Sequence, residues 1–571
     1  MAKFSVSVAD TIIKKIMEAN QGQFVVGDNY VCNNFSAVVY KKRNVDTPNY
    51  YRNGEDFIYM VGTYMGGGGG PLSTMVSLLD NFSTDNIVYY KKTIVGMWSV
   101  MIHKNQRTYI FNDYYGLYDT YYTSDTVSNS LVDCTSSQTF NPNKIDEFSY
   151  IMDMFQLGAF PGCTPFNDVK RLKRDEYVEL NDVISVNKID GDMSFHYKFV
   201  NESESLKQLS ELLITNASLI SKTLGKPTVF MTGGLDSRLV FASFSKAGID
   251  FDCKYGSGRY TQSGDEIIVK QISQQYDKTL EVLDWNCDTG DLITDKERLF
   301  EIIGFYNYID SGSLHRHITF ANCSKRNPVY SFGYFCEAIR LRDWAETKGD
   351  TFSLYDYVDN CYLNTDLKSF YKNYYMYRNH IIEIFKSQLC ELGWNKDYER
   401  IPIDLFERFR WEMARFCDSR MEQVLNNYGY AFSLLSIPEI HELILSLPAN
   451  VIRGGKFQVK LINTIDSGLI KSFDVFSHLR WYYIDKNLNK RKKITLVNIA
   501  DSILKPLSAI RPYIMKAYRS FRYDTTNTTN KEQLFCVRNK NYLPGFIDVS
   551  SLKGSLNNIT AFIVALKHIK Q

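Results

Sequence analysis

The apolar run Pro227-Thr228-Val229-Phe230-Met231 stops at Thr232-Gly233-Gly234-Leu235-Asp236-Ser237-Arg238, and a helical period begins near Ser237. A strand that gives way to small residues and then to a helix is the entry to a βα unit, and such a unit commits its surroundings to a parallel sheet with crossover helices. The texture changes to this type from about Glu202. A second short strand follows at residues 251–255 and a third apolar run at 328–332. Periodicity therefore predicts an α/β region built around the turn at 232–238.

Upstream, runs such as 24–26, 57–61 and 94–102 are β-rich and are broken by Gly, Asn and Asp turns, so the first 195 or so residues read as a mostly β layer. Downstream of about Asp366 the pattern is mostly helical, with Tyr371, Tyr374, Tyr375 and Tyr377 at spacings that suit helix packing. The 571 residues exceed one ordinary core. They divide in this reading into 1–195, 200–490 and a helical extension over 491–571. Five consecutive glycines at 66–70 read as a flexible loop, because the strand, Lys and Ser/Thr context of a phosphate loop is missing.

Composition narrows the function. With 44% hydrophobic and 23% charged residues the chain is of globular type, and a formal charge of +2 provides no field that recruits nucleic acid. Eleven cysteines without a CxxC pair argue against structural zinc and against a disulfide framework, which fits a reducing cytoplasm. The opening MAKFSVSVAD lacks the basic start and apolar run of a signal peptide, and no stretch reaches the length of a membrane span, so a cytoplasmic protein is expected. Residues 502–523 carry Lys505, Arg511, Lys516, Arg519 and Arg522 among apolar positions; a helix docked within the protein is the first reading, and peripheral contact with an anionic membrane the second.

The turn at 232–238 has ingredients that suit pyrophosphate. Gly233 and Gly234 let backbone N–H groups converge on one anion, the hydroxyls of Thr232 and Ser237 can donate to phosphate oxygens, and the following helix adds its positive end. Asp236 would be repelled by bare phosphate, so its expected partner is Mg²⁺ arriving with ATP. The plain alternative is that Gly-Gly and Asp-Ser are favoured turn and cap residues in any α/β protein.

This segment resembles the SGGxDS pyrophosphate loop of the ATP pyrophosphatase superfamily, and especially of asparagine-synthetase-like enzymes, with Thr232 in place of the first Ser. Arg238 stands where glutamine-dependent members usually have a second Ser, and the TGGLDSR form is more like members from peptide cyclisation and surface-polysaccharide pathways. Gly256-Ser257 and then Asp265-Glu266 resemble the second strand and the acidic pair opening the next helix, although acids in a first helical turn are stabilising whatever the function. Residues 328–337 stand where the family carries SGxGADE, and depart from it: Cys336 or Glu337 replaces the Asp, leaving Glu337 as the available metal carboxylate. Arg415, Asp418, Gly429, Tyr430, residues 432–436 and Leu447-Pro448 resemble the region packed over the family's cleft, without its PFLD carboxylate. Lys456 resembles the basic residue after the LP element, whereas the later catalytic Lys has no unique counterpart among Lys486, Lys490, Lys492 and Lys493.

The β-rich front resembles the family's glutaminase domain at Gly96-Met97-Trp98-Ser99-Val100, at Asp113 and Gly116, where Asn112 replaces an Arg, and at Val169-Lys170-Arg171-Leu172. Glutamine hydrolysis in that family needs a cysteine next to the initiator Met, and position 2 is Ala2, so the resemblance implies a persisting fold without glutaminase chemistry. The implied fold is α+β and α/β: a glutaminase-like β-sandwich layered with helices, then an adenine-nucleotide α-hydrolase-like parallel sheet with a helical C-terminal region. The implied activity is an AMP-forming amide ligase that adenylates a carboxylate, on a small molecule or glycan, and passes it to ammonia or an amine. Asp236, Arg238 and Lys456 would serve catalysis. Met231, Thr232, Gly233, Gly234, Asp236, Ser237, Gly256 and Ser257 would hold ATP, and Asp236, Asp265 and Glu337 would hold magnesium. A peptide or β-lactam-type cyclase and a non-catalytic scaffold are the alternatives, and homo-oligomerisation is left open. A tRNA-modifying relative is disfavoured by the near-neutral charge and the lone cysteines.

Overall fold

The computed structural model describes residues 3–495 except 22–24, 32–34, 43, 67–68, 137–143, 156–161, 258–262, 285–325, 342, 364–366, 412–421, 424, 427, 474, 478–479 and 485–490. The front is built from β1 (Lys3–Ser7), β2 (Val25–Val31), β3 (Ser36–Lys41), β4 (Tyr50–Asn53), β5 (Asp56–Met65), β6 (Val95–Lys104), β7 (Arg107–Asn112), β8 (Tyr121–Tyr122), β9 (Thr126–Ser128), β10 (Lys170–Arg171), β11 (Glu176–Leu180) and β12 (Ile184–Lys188). They form two antiparallel six-stranded sheets, ordered β10-β8-β9-β1-β3-β2 and β12-β11-β7-β6-β5-β4. Nearly every residue of β5 and β6 is buried, which a half-solvated strand would not allow. The period of two explains it. Phe57, Tyr59, Val61, Met97 and Met101 pack with Phe4, Val6, Ala37 and Val39 of the other sheet, while the alternate residues Ile58, Met60, Trp98, Val100 and Ile102 pack with Met75, Leu78 and Leu79. Those last three lie on helix α2 (Pro71–Asn81), and helix α1 (Asp10–Ala19) places Ile13 and Ile16 against Val38 and Tyr40. Helices thus cover the outer faces of a two-sheet sandwich. Gly66 and Gly69 form an isolated bridge, and Gly70 precedes Pro71 at the first turn of α2.

The expected Asp113 and Gly116 shape one turn of this front. Asp113 is buried and its carboxylate accepts from the N–H groups of Trp98 (3.3 Å), Tyr115 (3.1 Å), Leu117 (3.0 Å) and Tyr118 (2.9 Å), while Gly116 has φ of +66°. Burial pushes its carboxyl pKa up, opposed by those N–H bonds. Lys91 closes the turn through Asn112 Oδ1 at 3.1 Å.

Helix α3 (Glu202–Leu224) starts the second half, with Asn201 Oδ1 accepting from Glu204 N at 2.9 Å as its cap. Strands β13 (Pro227–Phe230), β14 (Asp252–Ser257), β15 (Leu280–Asp284), β16 (Val329–Phe332) and β19 (Tyr430–Ser433) form a parallel sheet ordered β15-β14-β13-β16-β19. A separate short pair joins β17 (Thr351–Phe352) to β18 (Ile401–Pro402). Helix α4 (Asp236–Lys246) follows β13 and helix α5 (Ser263–Gln275) follows β14. Every residue of α4 from Ser237 to Phe244 is buried, so this helix is enclosed on all sides rather than amphipathic. After β19 come α6 (Pro438–Leu445), α7 (Lys456–Ile465) and α8 (Gly468–Lys471). Strands β20 (Val475–Ser477), β21 (Arg480–Ile484) and β22 (Arg491–Thr495) then form an antiparallel sheet. The expected helical extension therefore opens on a strand, with Lys492 and Lys493 in β22; the rest of it, with 502–523, lies outside the described residues, as do Lys486 and Lys490. Among the described residues no helix is long and apolar enough to cross a membrane.

The two halves are joined by buried polar contacts. Ala431 N donates to Thr63 Oγ1 at 2.8 Å, Lys42 Nζ to Gly429 O at 2.6 Å, Gln423 Nε2 to Leu117 O at 2.6 Å and Tyr115 Oη to Glu442 at 3.0 Å.

Candidate functional site at the sheet's switch point

In the parallel sheet the chain moves from β13 to β14 and β15 on one side, then returns to β16 and β19 on the other. The order reverses between β13 and β16. Crevices at the carboxyl ends of strands at such a reversal are where open α/β sheets bind ligands. The turn 232–235 and the head of α4 leave β13 here, and Gly333 through the short 3₁₀ turn Cys336–Ile339 leaves β16 opposite.

The turn is held by its own polar groups. Thr232 N donates to Ser237 Oγ at 2.9 Å, the two hydroxyls lie 3.1 Å apart, and Gly234 N faces Thr232 Oγ1 at 3.3 Å. Gly233 N donates to a carboxylate oxygen of Asp265, which belongs to the first turn of α5. Thr232 is exposed, Gly234 and Asp236 are half-buried, and Met231 and Gly233 are buried. The opposite wall approaches very closely: a Cβ on Gly333 would lie 2.6 Å from both Asp236 C and Ser237 N. Only glycine fits there.

Across the switch point Asp236 meets residues that sequence reasoning missed. Its Oδ1 accepts from Arg340 Nη1 at 3.1 Å and from Gln458 Nε2 at 2.7 Å, and its Oδ2 accepts from Arg340 Nη2 at 2.9 Å. The bidentate pair leaves 28% of the Asp236 side chain and 32% of the Arg340 side chain exposed, so a ligand can reach both. Asp236's charge holds the Arg340 guanidinium more firmly protonated, and burial pushes the neighbouring Cys336 thiol well up, with Asp236 adding to it. Gln458 Nε2 also lies 3.1 Å from Cys336 Sγ, and Gln458 Oε1 is buried with no partner among the described residues.

The other expected residues take varied places. Arg238 is fully buried; Nη1 donates to Leu469 O (2.9 Å) and Phe473 O (3.3 Å), and Nη2 to Gly233 O (3.1 Å). It ties the turn to α8 from beneath and does not face the cleft. Gly256 and Ser257 close β14, where Ser257 Oγ donates to Glu266 at 3.3 Å. Glu337 turns toward Arg410, at 3.6 Å, which also pairs with Glu407 at 2.8 Å. Lys456 is exposed at the head of α7, two residues before Gln458. Arg415, Asp418 and Ala2 lie outside the described residues.

These donors do not fit magnesium. The ion wants six oxygens at about 2.0–2.1 Å. Asp236 is occupied by a guanidinium and an amide, Asp265 is engaged at Gly233, Glu337 faces Arg410, and burial disfavours the thiolate of Cys336. No group of three metal-ligating side chains gathers among the described residues.

The wall behind Cys336 carries strain and a buried imidazole. Phe335 has φ of +66°, an uncommon conformation for a bulky residue, and its ring packs on Trp411 and His441 at 5.0 and 6.1 Å. His441 Nδ1 donates to Leu435 O at 3.1 Å, and burial, aided by Arg408 and Arg410, depresses its pKa to about 3. The unfolded chain, with a histidine pKa of about 6.5, binds this proton at pH values where the folded chain does not. Stability contributed by neutral His441 is thus complete above about pH 6.5 and falls as pH drops toward about 3. Between pH 6.5 and 5 the loss is expected to be about 2 kcal/mol from this group. Denaturant melts of the wild type and His441→Gln should show the wild-type curve falling more steeply across that window; parallel curves would contradict it.

No family model matches the chain, and no curated protein matches it. Among solved structures it is similar to a glutamine phosphoribosylpyrophosphate amidotransferase from B. subtilis complexed with ADP and GMP, at 9% identity and a TM-score of 0.22, covering 50% of this chain and 91% of that one. A structure described as the allosteric regulatory enzyme of purine biosynthesis gives the same identity, TM-score and share of this chain, with 80% of its own length covered. Likenesses this distant assign neither family nor activity.

Proposed function

We propose that this chain binds a nucleoside triphosphate, ATP, at the turn after β13 and uses it to activate a carboxylate for transfer to ammonia or an amine. The observation that carries the reading is the seating of an anionic oxygen, from Asp265, on Gly233 N–H at the head of α4, at the sheet's switch point. A backbone amide that holds a carboxylate oxygen there can hold a phosphate oxygen in exchange. Thr232 and Ser237, already paired by their hydroxyls, would turn a hydroxyl to the departing pyrophosphate, and Arg340 would offer charge to it. Arg238 acts as a positioning residue for Gly233. Holding the carboxylate against the α-phosphorus, and then the acyl-adenylate against the amine, is the main catalytic gain expected. At the head of β1, Lys3 Nζ is buried against Asp133 at 2.8 Å and Asn20 at 2.9 Å.

Exchange of labelled pyrophosphate into ATP, stimulated by one member of a panel of uronic, amino and peptide acids, is the expected result. One observation favours a second reading, a nucleotide-binding protein without catalysis: both oxygens of the Asp236 carboxylate already accept from Arg340 or Gln458. ATP binding without exchange across the whole panel would select it.

A further inference from the structure

Asp236 and the polyphosphate would both be negative, and something must reconcile them. Like charges at close range repel strongly at the effective dielectric of a protein surface. A bridging divalent cation is the usual answer, yet the donors around Asp236 are filled by nitrogen. Arg340 takes both carboxylate oxygens, Gln458 takes one of them again, and among the described residues the two expected metal acids are engaged elsewhere: Asp265 on Gly233 N–H and Glu337 toward Arg410. The guanidinium has N–H groups beyond the two given to Asp236, and its side chain is 32% exposed. The buried Gln458 Oε1 beside Cys336, without a partner among the described residues, marks a further polar position in the same wall.

We infer that this site takes the polyphosphate of its nucleotide without a divalent cation, with Arg340 supplying the positive charge that a bridging metal would otherwise bring. The inference rests on the nucleotide reading above. Arg340 keeps Asp236 neutralised and turns its remaining N–H groups to phosphate oxygens. No metal ligand has to be freed, and the turn accepts the anion once Asp265 yields Gly233 N–H. The carboxylate of Asp236 then acts by orienting the guanidinium rather than by holding an ion.

Calorimetric titration of the full chain with ATP tests this, once with excess EDTA and once with millimolar magnesium. Affinities within about threefold of each other are expected, a difference below 1 kcal/mol. Arg340→Met is expected to weaken binding in EDTA about tenfold or more, the loss of a charge-assisted contact, and Arg340→Lys to restore part of it. The comparison of buffers on the wild type decides the matter even if a variant folds poorly. Binding that appears only with magnesium would overturn the metal-free site and leave the nucleotide reading standing. Absence of binding in both buffers would overturn both.

Discussion

Arg238→Met is expected to lower the unfolding free energy by about 3–5 kcal/mol, because the buried guanidinium bonds to three backbone carbonyls that methionine leaves bare. Two of those carbonyls, Leu469 and Phe473, belong to and follow the short helix α8, and the third, Gly233, belongs to the candidate phosphate turn. The loss therefore falls on a link between segments more than 200 residues apart in sequence. Denaturant unfolding should show a shifted midpoint at unchanged slope. A change below about 1 kcal/mol would mean that the site relaxes around the missing fork, and that Arg238 does not hold the turn.

The second large effect is expected at Gly333. An alanine Cβ there would press on Asp236 C and Ser237 N at 2.6 Å, and backbone atoms at the head of a helix buried from Ser237 to Phe244 cannot swing aside as a side-chain tip can. Either β16 or the turn must move, at an expected cost of about 1–3 kcal/mol. The same displacement pulls Asp236 from Arg340, so ATP affinity should fall by about tenfold or more. Gly349→Ala is the control, since nothing lies within 4 Å of its added Cβ. Equal behaviour of the two variants in melting and in ATP titration would show that the strand and the turn are not locked together.

Much of the architecture is legible along the chain where the signal is local. The strands β5, β6, β13 and β16 stand in apolar runs bounded by turn residues, β14 alternates polar and apolar residues from Phe251 to Tyr255, and the turn at 232–235 is marked by its paired glycines. What the sequence hides is pairing over distance. Arg340 looks like any arginine following an apolar segment, and its partner Asp236 lies 104 residues away. Gln458 sits 222 residues from the same carboxylate, in a helix noticed only for Lys456. Arg238 reads as a site residue because it adjoins Ser237. A better signal was present: Leu239, Val240, Phe241, Ala242 and Phe244 leave no polar face, so an arginine one residue earlier has to be buried too. The two faces of β5 were equally concealed, since its continuous apolar run reads as buried without saying that one face meets a second sheet and the other meets α2. The strand at 491–495 is hidden in the sequence because its basic residues carry no period that betrays a strand.

On the reading proposed above, a nucleotide's phosphates sit on the turn between β13 and α4. A crystal structure of the full chain with α,β-methylene-ATP, grown from magnesium-free solution, tests this most directly. Phosphate density within hydrogen-bond reach of Gly233 N and Arg340, with Asp265 moved off the turn, is the expected result. Nucleotide density elsewhere, or an Asp265–Gly233 contact left intact under saturating analogue, would contradict it.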